Sequence, residues 1–149
     1  MRTFTAAVAA FAAVLSTPAM AAGEARVEAR GGLIWGNGNE EAVAGLAAGY
    51  DFDLGSAAFA GIEGAGDIAL ADGAEVVWSV GGRVGAKVSE KGKLYANAGV
   101  AFCCSTEDFY AGAGYQHKIS TNAYLKAEYR HIFGAFDANT ATVGVGFNF

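Results

Sequence analysis

Proline occurs once in the 149 residues, at Pro18, and cysteine twice, at the adjacent Cys103 and Cys104. One adjacent pair excludes a disulfide framework, which needs several spaced cysteines. Neighbouring Cα atoms stand about 3.8 Å apart, below the usual disulfide span, so a bridge here would be strained. A small loop-end pair, bridged or not, is the simpler reading, because a redox or metal role needs more ligands than flank it. Charge is also scarce: 17% of residues, with 10 basic against 15 acidic. That balance lacks the basic footprint of a nucleic-acid binder. Low charge with 53% hydrophobic residues excludes a disordered chain. No apolar run reaches the 18 or so residues of a transmembrane helix; the longest, Ala42 to Tyr50, is half small residues.

What is abundant is glycine. All 22 fall after residue 22, about twice the usual ~7%, and show no Gly-X-Y period, so collagen is excluded. The preceding segment reads as a secretory signal peptide over residues 1–21. Met1-Arg2 is the positive start, Ala6 to Leu15 the apolar stretch, and Ala19-Met20-Ala21 the small-residue cleavage site. Residues 22–149 are then expected to form one domain. Too apolar for an ordinary soluble protein and without a helix to cross a membrane, it would have to cross as strands.

The period supports this. From Ala25 onward, eight segments alternate with period two. Segment seven sets Leu125, Ala127, Tyr129 and Phe133 against Lys126, Glu128 and Arg130; segment eight sets Val143, Val145, Phe147 and Phe149 against Thr142, Gly144, Gly146 and Asn148. Asn37-Gly38 and Asp72-Gly73 are hairpin signals, and Lys91-Gly92 and Ser120-Thr121-Asn122 mark further turns. The charges sort to one face: Arg26, Arg30, Arg83, Lys87, Lys126 and Arg130 with Glu28, Asp51, Glu63, Asp67 and Glu128. Six against five suggests pairing.

A soluble sandwich or lipocalin-like barrel would turn that face to water, and a membrane barrel would turn it inward. Three features favour the membrane barrel. The charged face is filled out with Gly and Ala, which suits a narrow lumen. Aromatics (Trp35, Tyr50, Phe52, Phe102, Phe109, Tyr115, Tyr129, Phe133, Phe147) gather near segment ends on the apolar face, where interfacial girdles belong. The chain ends on Phe149. The expectation is an all-β, eight-stranded antiparallel up-and-down transmembrane β-barrel.

The stretches Tyr110-Ala-Gly-Ala-Gly-Tyr115, Leu125-Lys-Ala-Glu-Tyr-Arg130 and Val143-Gly-Val-Gly-Phe-Asn-Phe149 resemble the last three strands of small Gram-negative outer-membrane barrels of the porin-like, opacity-type family. The resemblance is best over Phe109 to Phe149. It implies both termini in the periplasm and outer loops at Gly36–Glu41, Ala71–Glu75, Cys103–Asp108 and Gly134–Thr140. It also implies a terminal Phe149 read by the outer-membrane assembly machinery, with outer-membrane lipids and lipopolysaccharide as partners. Relatives that act as adhesins generally carry longer loops than these. A monomer is expected.

No catalytic, cofactor or metal residues are assigned. The lumen charges read as a structural salt-bridge network, with a narrow solute or proton path as the alternative, because eight strands leave a bore that side chains fill. Gly64-Ala-Gly-Asp-Ile-Ala69 fits G-x-G-x-x-A, but a strand rather than a helix follows, so no dinucleotide site is read. His117 and His131 lack a nearby serine nucleophile, which sets aside a lipid acyl hydrolase or transferase. The outer acids Glu40, Glu41, Asp72, Glu75, Glu107, Asp108 and Asp137 read as a solvated rim rather than a divalent-cation site. The expected role is structural or surface-related. A narrow channel is the first alternative, and a soluble periplasmic ligand-binding barrel the second.

Overall fold

The computed structural model describes residues 23–36, 38–103, 106–134 and 137–149. The expected signal peptide, Asn37 and Cys104 lie outside them. Eight strands follow one another: β1 (Gly23–Gly36), β2 (Asn39–Leu54), β3 (Ala58–Ala69), β4 (Val76–Lys87), β5 (Gly92–Cys103), β6 (Thr106–Lys118), β7 (Ala123–Phe133) and β8 (Ala138–Asn148). Each pairs antiparallel with the next, and β8 returns to β1 with Arg26 opposite Asn148 and Trp35 opposite Asn139, closing the barrel. The last residue completes the seam: Ala25 N–H donates to the Phe149 carbonyl at 3.2 Å, and Phe149 N–H to the Ala25 carbonyl at 2.9 Å. Closure leaves no unpaired edge, the condition for backbone to stand in hydrocarbon.

The strands run farther than the sequence pattern indicates. Glu40 and Glu41 lie on β2, and Glu107 and Asp108 on β6, so four of the seven outer acids ride strand ends. The outer connections shrink to residues 37–38, 70–75, 104–105 and 134–137. Asp72-Gly73 sits inside a six-residue connection instead of forming a two-residue hairpin, though Gly73, like Gly38, takes the positive φ that favours glycine (77° and 85°). Gly55, also at positive φ (86°), turns β2 into β3 at a Gly55-Ser56 step not singled out in the sequence. Gly92 opens β5 rather than occupying the preceding turn.

The two faces divide as the alternation requires. Leu46, Val84 and Val143 are 62%, 61% and 67% exposed, while Arg26, Arg83 and Lys126 are 1%, 2% and 3% exposed. This inverts a water-soluble protein and is the arrangement of a membrane-spanning barrel. Trp35, Trp78, Phe102, Phe109, Tyr129 and Phe133 ring the outer end of the apolar band, and Tyr50, Phe52, Tyr115, Phe147 and Phe149 the end that carries the termini.

The glycines have a specific use inside. Four aromatics, Phe59, Tyr95, Tyr110 and Tyr124, point into the lumen, all 4% exposed or less. Each crosses onto an inward glycine. A Cβ on Gly146 would strike the Tyr124 ring, one on Gly114 the Tyr95 hydroxyl, one on Gly85 the Phe59 ring at 2.8 Å, and one on Gly99 the Tyr110 hydroxyl at 2.7 Å. A narrow bore admits rings only where the facing wall has no side chain.

Two outcomes test this architecture. Leu46→Arg places a charge at mid-strand on the lipid-facing side, opposite Ala29 and Gly66. It is expected to cost about 2–4 kcal/mol in urea unfolding from liposomes; a change under about 0.5 kcal/mol, ordinary for a solvated surface, would put that face in water. Gly146→Ala, crowding Tyr124, is expected to cost about 1–3 kcal/mol, and Tyr124→Ala in the same chain to lessen the added penalty.

Candidate functional site

Among the described residues chemistry concentrates in the lumen, where side chains form a continuous ladder of ion pairs. At the terminus-bearing mouth, Lys93 and Lys118 each reach Glu24 at 2.5 Å, and Lys87 reaches Asp53 at 2.7 Å. One step in, Arg83 grips Asp51 with a fork, Nε at 2.8 Å and Nη2 at 2.5 Å, and Arg26 and Lys93 approach the same carboxylate at 3.5 and 3.4 Å. Gln116 accepts a further bond from Arg83 at 3.2 Å.

Glu63 is the hub at the middle. Arg130 meets it at 2.5 Å, Arg26 at 2.7 Å, Arg30 at 3.4 Å and Lys126 at 3.7 Å. Glu28 takes Lys126 at 2.6 Å and a bond from the Tyr124 hydroxyl at 3.0 Å. Glu128 receives Arg130 at 2.6 Å, the Tyr95 hydroxyl at 2.7 Å and the Asn97 amide at 2.9 Å. Toward the outer end Arg30 forks onto Asp67, Nε at 2.8 Å and Nη2 at 2.5 Å.

All eleven charges expected on this face are therefore in the lumen, and all eleven are paired. The alternation on β1, β2, β3, β4 and β7 places them, since positions two apart share a face. Lys93, 6% exposed, also belongs to the network, although it lies just outside the segment that begins at Leu94. Phe59, Tyr110 and Tyr124 join it as well. Arg83 lies 5.3 Å from the Phe59 ring centre and 4.8 Å from that of Tyr95, and Arg130 lies 4.7 Å from that of Tyr110. Their parity was readable: Phe59 is in phase with Glu63, Tyr110 with Gln116, and Tyr124 with Lys126. Rings between charges signal cation–π contacts in a dry bore.

The remaining candidates are dispersed. Gly64 to Ala69 lies wholly within β3, with β4 beside it and no helix following. His117 Nδ1 lies 3.3 Å from the Tyr115 hydroxyl at one end, and His131 Nδ1 lies 2.9 Å from Asn139 Oδ1 at the other. Cys103 is a free thiol 3.8 Å from Glu75 Oε2. Among the described residues no group of three metal-ligating side chains converges. At the outer end the bore widens into a cup of about 550 Å³.

No family model matches the sequence, and no curated protein sequence matches it either. Solved structures do. The Ail attachment invasion locus protein of Yersinia pestis superposes with TM-score 0.66 at 17% identity, over 87% of this chain and all of that one. The N-terminal barrel of Pseudomonas aeruginosa OprF gives 0.64 at 17%, over 85% and 97%. Neisserial surface protein A gives 0.61 at 10%, over 85% and 95%. The fold is that of the small eight-stranded outer-membrane barrels. A de novo designed transmembrane barrel superposes too, with TM-score 0.61 at 19% identity over 89% of this chain. Physical rules for such barrels thus suffice to reach this shape.

The network predicts unequal costs for removing its members. Glu63→Gln leaves buried cations without their shared counter-charge and is expected to lose about 3–5 kcal/mol in urea unfolding. Lys87→Ala, partly exposed at the mouth, is expected to lose under about 1 kcal/mol. Equal losses would mean that the lumen is wet throughout.

Proposed function

We propose that this chain is an integral barrel of the bacterial outer membrane with a structural or surface role and a lumen plugged by its own ion pairs. The observation that carries the reading is the hub at Glu63. Four cations converge on a carboxylate 7% exposed, midway along a bore that Tyr95, Tyr110 and Tyr124 also fill. A solute path would need that cluster to part, and parting leaves buried charges unpaired. A narrow channel is the second reading, supported by the wide outer cup that leads down to the plug. The outward apolar band speaks against a soluble periplasmic barrel, which would have to hold that surface in water.

The partners follow from the surfaces. Lipid acyl chains, including those of lipopolysaccharide, cover the apolar band, and the aromatic rings meet the headgroups. The seam that Phe149 makes with Ala25 is where the assembly machinery would engage the last strand. A monomer is the proposed state, since closure leaves no strand edge through which a second copy could pair. No catalytic role is assigned, because neither histidine has a nucleophile beside it.

One neighbour has been solved with the heparin analogue sucrose octasulfate, the Ail protein, at 15% identity and TM-score 0.60. A sulfated ligand is not carried over to this chain. Residues 36–41, 70–75, 103–108 and 134–140 contain seven carboxylates and no Lys or Arg, so a polyanion would meet repulsion. Connections of two to six residues also leave little loop surface for a large partner.

Heat-modifiability on an SDS gel, cell fractionation and planar-bilayer recording test the proposal together. The expected result is a mobility shift on boiling, recovery in the outer membrane and no discrete conductance steps. Steps in the wild type that vanish on acidifying or mutating Glu63 would replace the plug with a gate. Recovery from the periplasmic extract without a shift would overturn the membrane reading.

A further inference from the structure

The cup at the outer end has a composition that the plug does not explain. Its wall is mostly apolar, built from Val43, Ala69, Val77, Ala101, Ile132 and Ala138, with the hydroxyls of Ser79, Thr140 and Thr142 among them. Three of these, Val43, Ala101 and Ala138, are only 7%, 8% and 1% exposed, so the wall is packed and preformed. Its rim carries Glu41, Glu75, Asp108 and Asp137. Its floor is the outer rung of the ladder, Arg30 with Asp67 and Arg130 with Glu128. The volume, about 550 Å³, falls within the 300–1,000 Å³ of small-molecule sites, which are also mostly apolar with a few polar groups.

We propose that this cup binds a small amphipathic cation: an ammonium group on an apolar body of roughly the size of a phenylalkylamine. Charge complementarity sets the sign. Four carboxylates edge a concave low-dielectric wall and no Lys or Arg occurs in the outer connections, so the rim focuses negative potential. The floor arginines do not reverse it. Arg30 is forked onto Asp67, and Arg130 spans Glu63 at 2.5 Å and Glu128 at 2.6 Å, so neither guanidinium is free to hold an anion.

The apolar wall sets the rest. A bare cation gains nothing from Val43, Val77 and Ile132 and stays in water, while a neutral apolar body gains nothing from the rim. Only a molecule with both parts uses both features. The body sits against the wall, above the closed plug, and the ammonium stays at the rim among the carboxylates. Because the plug blocks onward passage, the cup retains its ligand rather than conducting it. Membrane location decides only which compartment the cup opens to; binding is measured on the isolated barrel, so the two readings fail separately.

The test uses the folded barrel in nanodiscs of neutral phosphatidylcholine, with empty nanodiscs as the blank, because a detergent could itself fill the cup. Calorimetry compares 4-phenylbutylammonium with 4-phenylbutanol and 4-phenylbutyrate, which share one apolar body. The amine is expected to bind about tenfold more tightly than the alcohol at low salt, with the carboxylate weakest. The margin should narrow at about 0.15 M salt, as screening shortens the reach of the rim. The double variant Glu41→Gln with Asp137→Asn, both at the exposed rim, should bring the amine down to the alcohol's affinity. Ala101→Phe, which fills the wall, should abolish binding of all three while the heat-induced gel shift remains. Equal affinities, a preference for the carboxylate, no binding by any of the three, or a rim variant that still prefers the amine would each overturn the proposal. Should Ala101→Phe fail to fold, the rim variant decides alone.

Discussion

Eight strands enclose a bore only wide enough for side chains, and every charge sent into it must meet its opposite there. That constraint governs most of the molecule. Lipid on the outside forbids Lys, Arg, Asp and Glu along the mid-band, so the polar half of each alternating strand has nowhere to go but inward. Once inside, a charge is costly unless paired and hydrogen-bonded. The result is a ladder in which carboxylates are shared: Asp51 by Arg83, Arg26 and Lys93, and Glu63 by Arg26, Arg30, Lys126 and Arg130. Sharing is what six buried cations require when four carboxylates, Glu28, Asp51, Glu63 and Glu128, are buried with them and Asp67 and Glu24 lie nearer the mouths.

The same bore accounts for the glycines. A ring and a guanidinium cannot face each other across so small a lumen if the intervening wall carries side chains. Gly85, Gly99, Gly114 and Gly146 clear the wall for Phe59, Tyr110, Tyr95 and Tyr124, and Gly49 and Gly61 do so for Arg26 and Asp51. Long polar side chains and absent ones are therefore one design. The rings then lie over Arg83 and Arg130, adding cation–π attraction to the ion pairs. Glycine in these strands is a packing residue for the lumen, not a sign of looseness.

Much of this was legible in the sequence because period two is a strong signal where lipid enforces it. The eight segments, their antiparallel order and the inward fate of Arg26, Glu28, Asp51, Glu63, Lys126 and Glu128 all followed from alternation. The strand ends did not. Beyond the hydrocarbon, lipid no longer constrains which side chain faces out, so Glu40, Glu41, Glu107 and Asp108 read as loop while pairing as strand. Lys93, just before its segment, and Tyr124, the second residue of its own, were missed because the larger apolar positions that define the period begin at Leu94 and Leu125. The cup was not legible at all, because it depends on which inward residues from all eight strands meet at one level.

The two ends of the barrel differ in charge, and the difference bears on what each can do. At the terminus-bearing end Lys87, Lys93, Lys118 and Asp53, Glu24 neutralise one another at close range. At the other end the carboxylates have no Lys or Arg among them, and their mutual repulsion is relieved by standing at the rim of a wide opening in water. A barrel that needed only to close its bore could have continued the pairing to both mouths. Here the Arg and Lys pairing stops at the level of Arg30 and Asp67, with His131 4.0 Å from Asp137 beyond it, and the wall above turns mostly apolar with Val43, Val77 and Ile132. Water in the cup gains little from valine, and the rim has no Lys or Arg to offset its carboxylates. With outer connections of only two to six residues to present to the surroundings, this recess, and not a loop, is the feature of the exposed end whose chemistry selects among molecules.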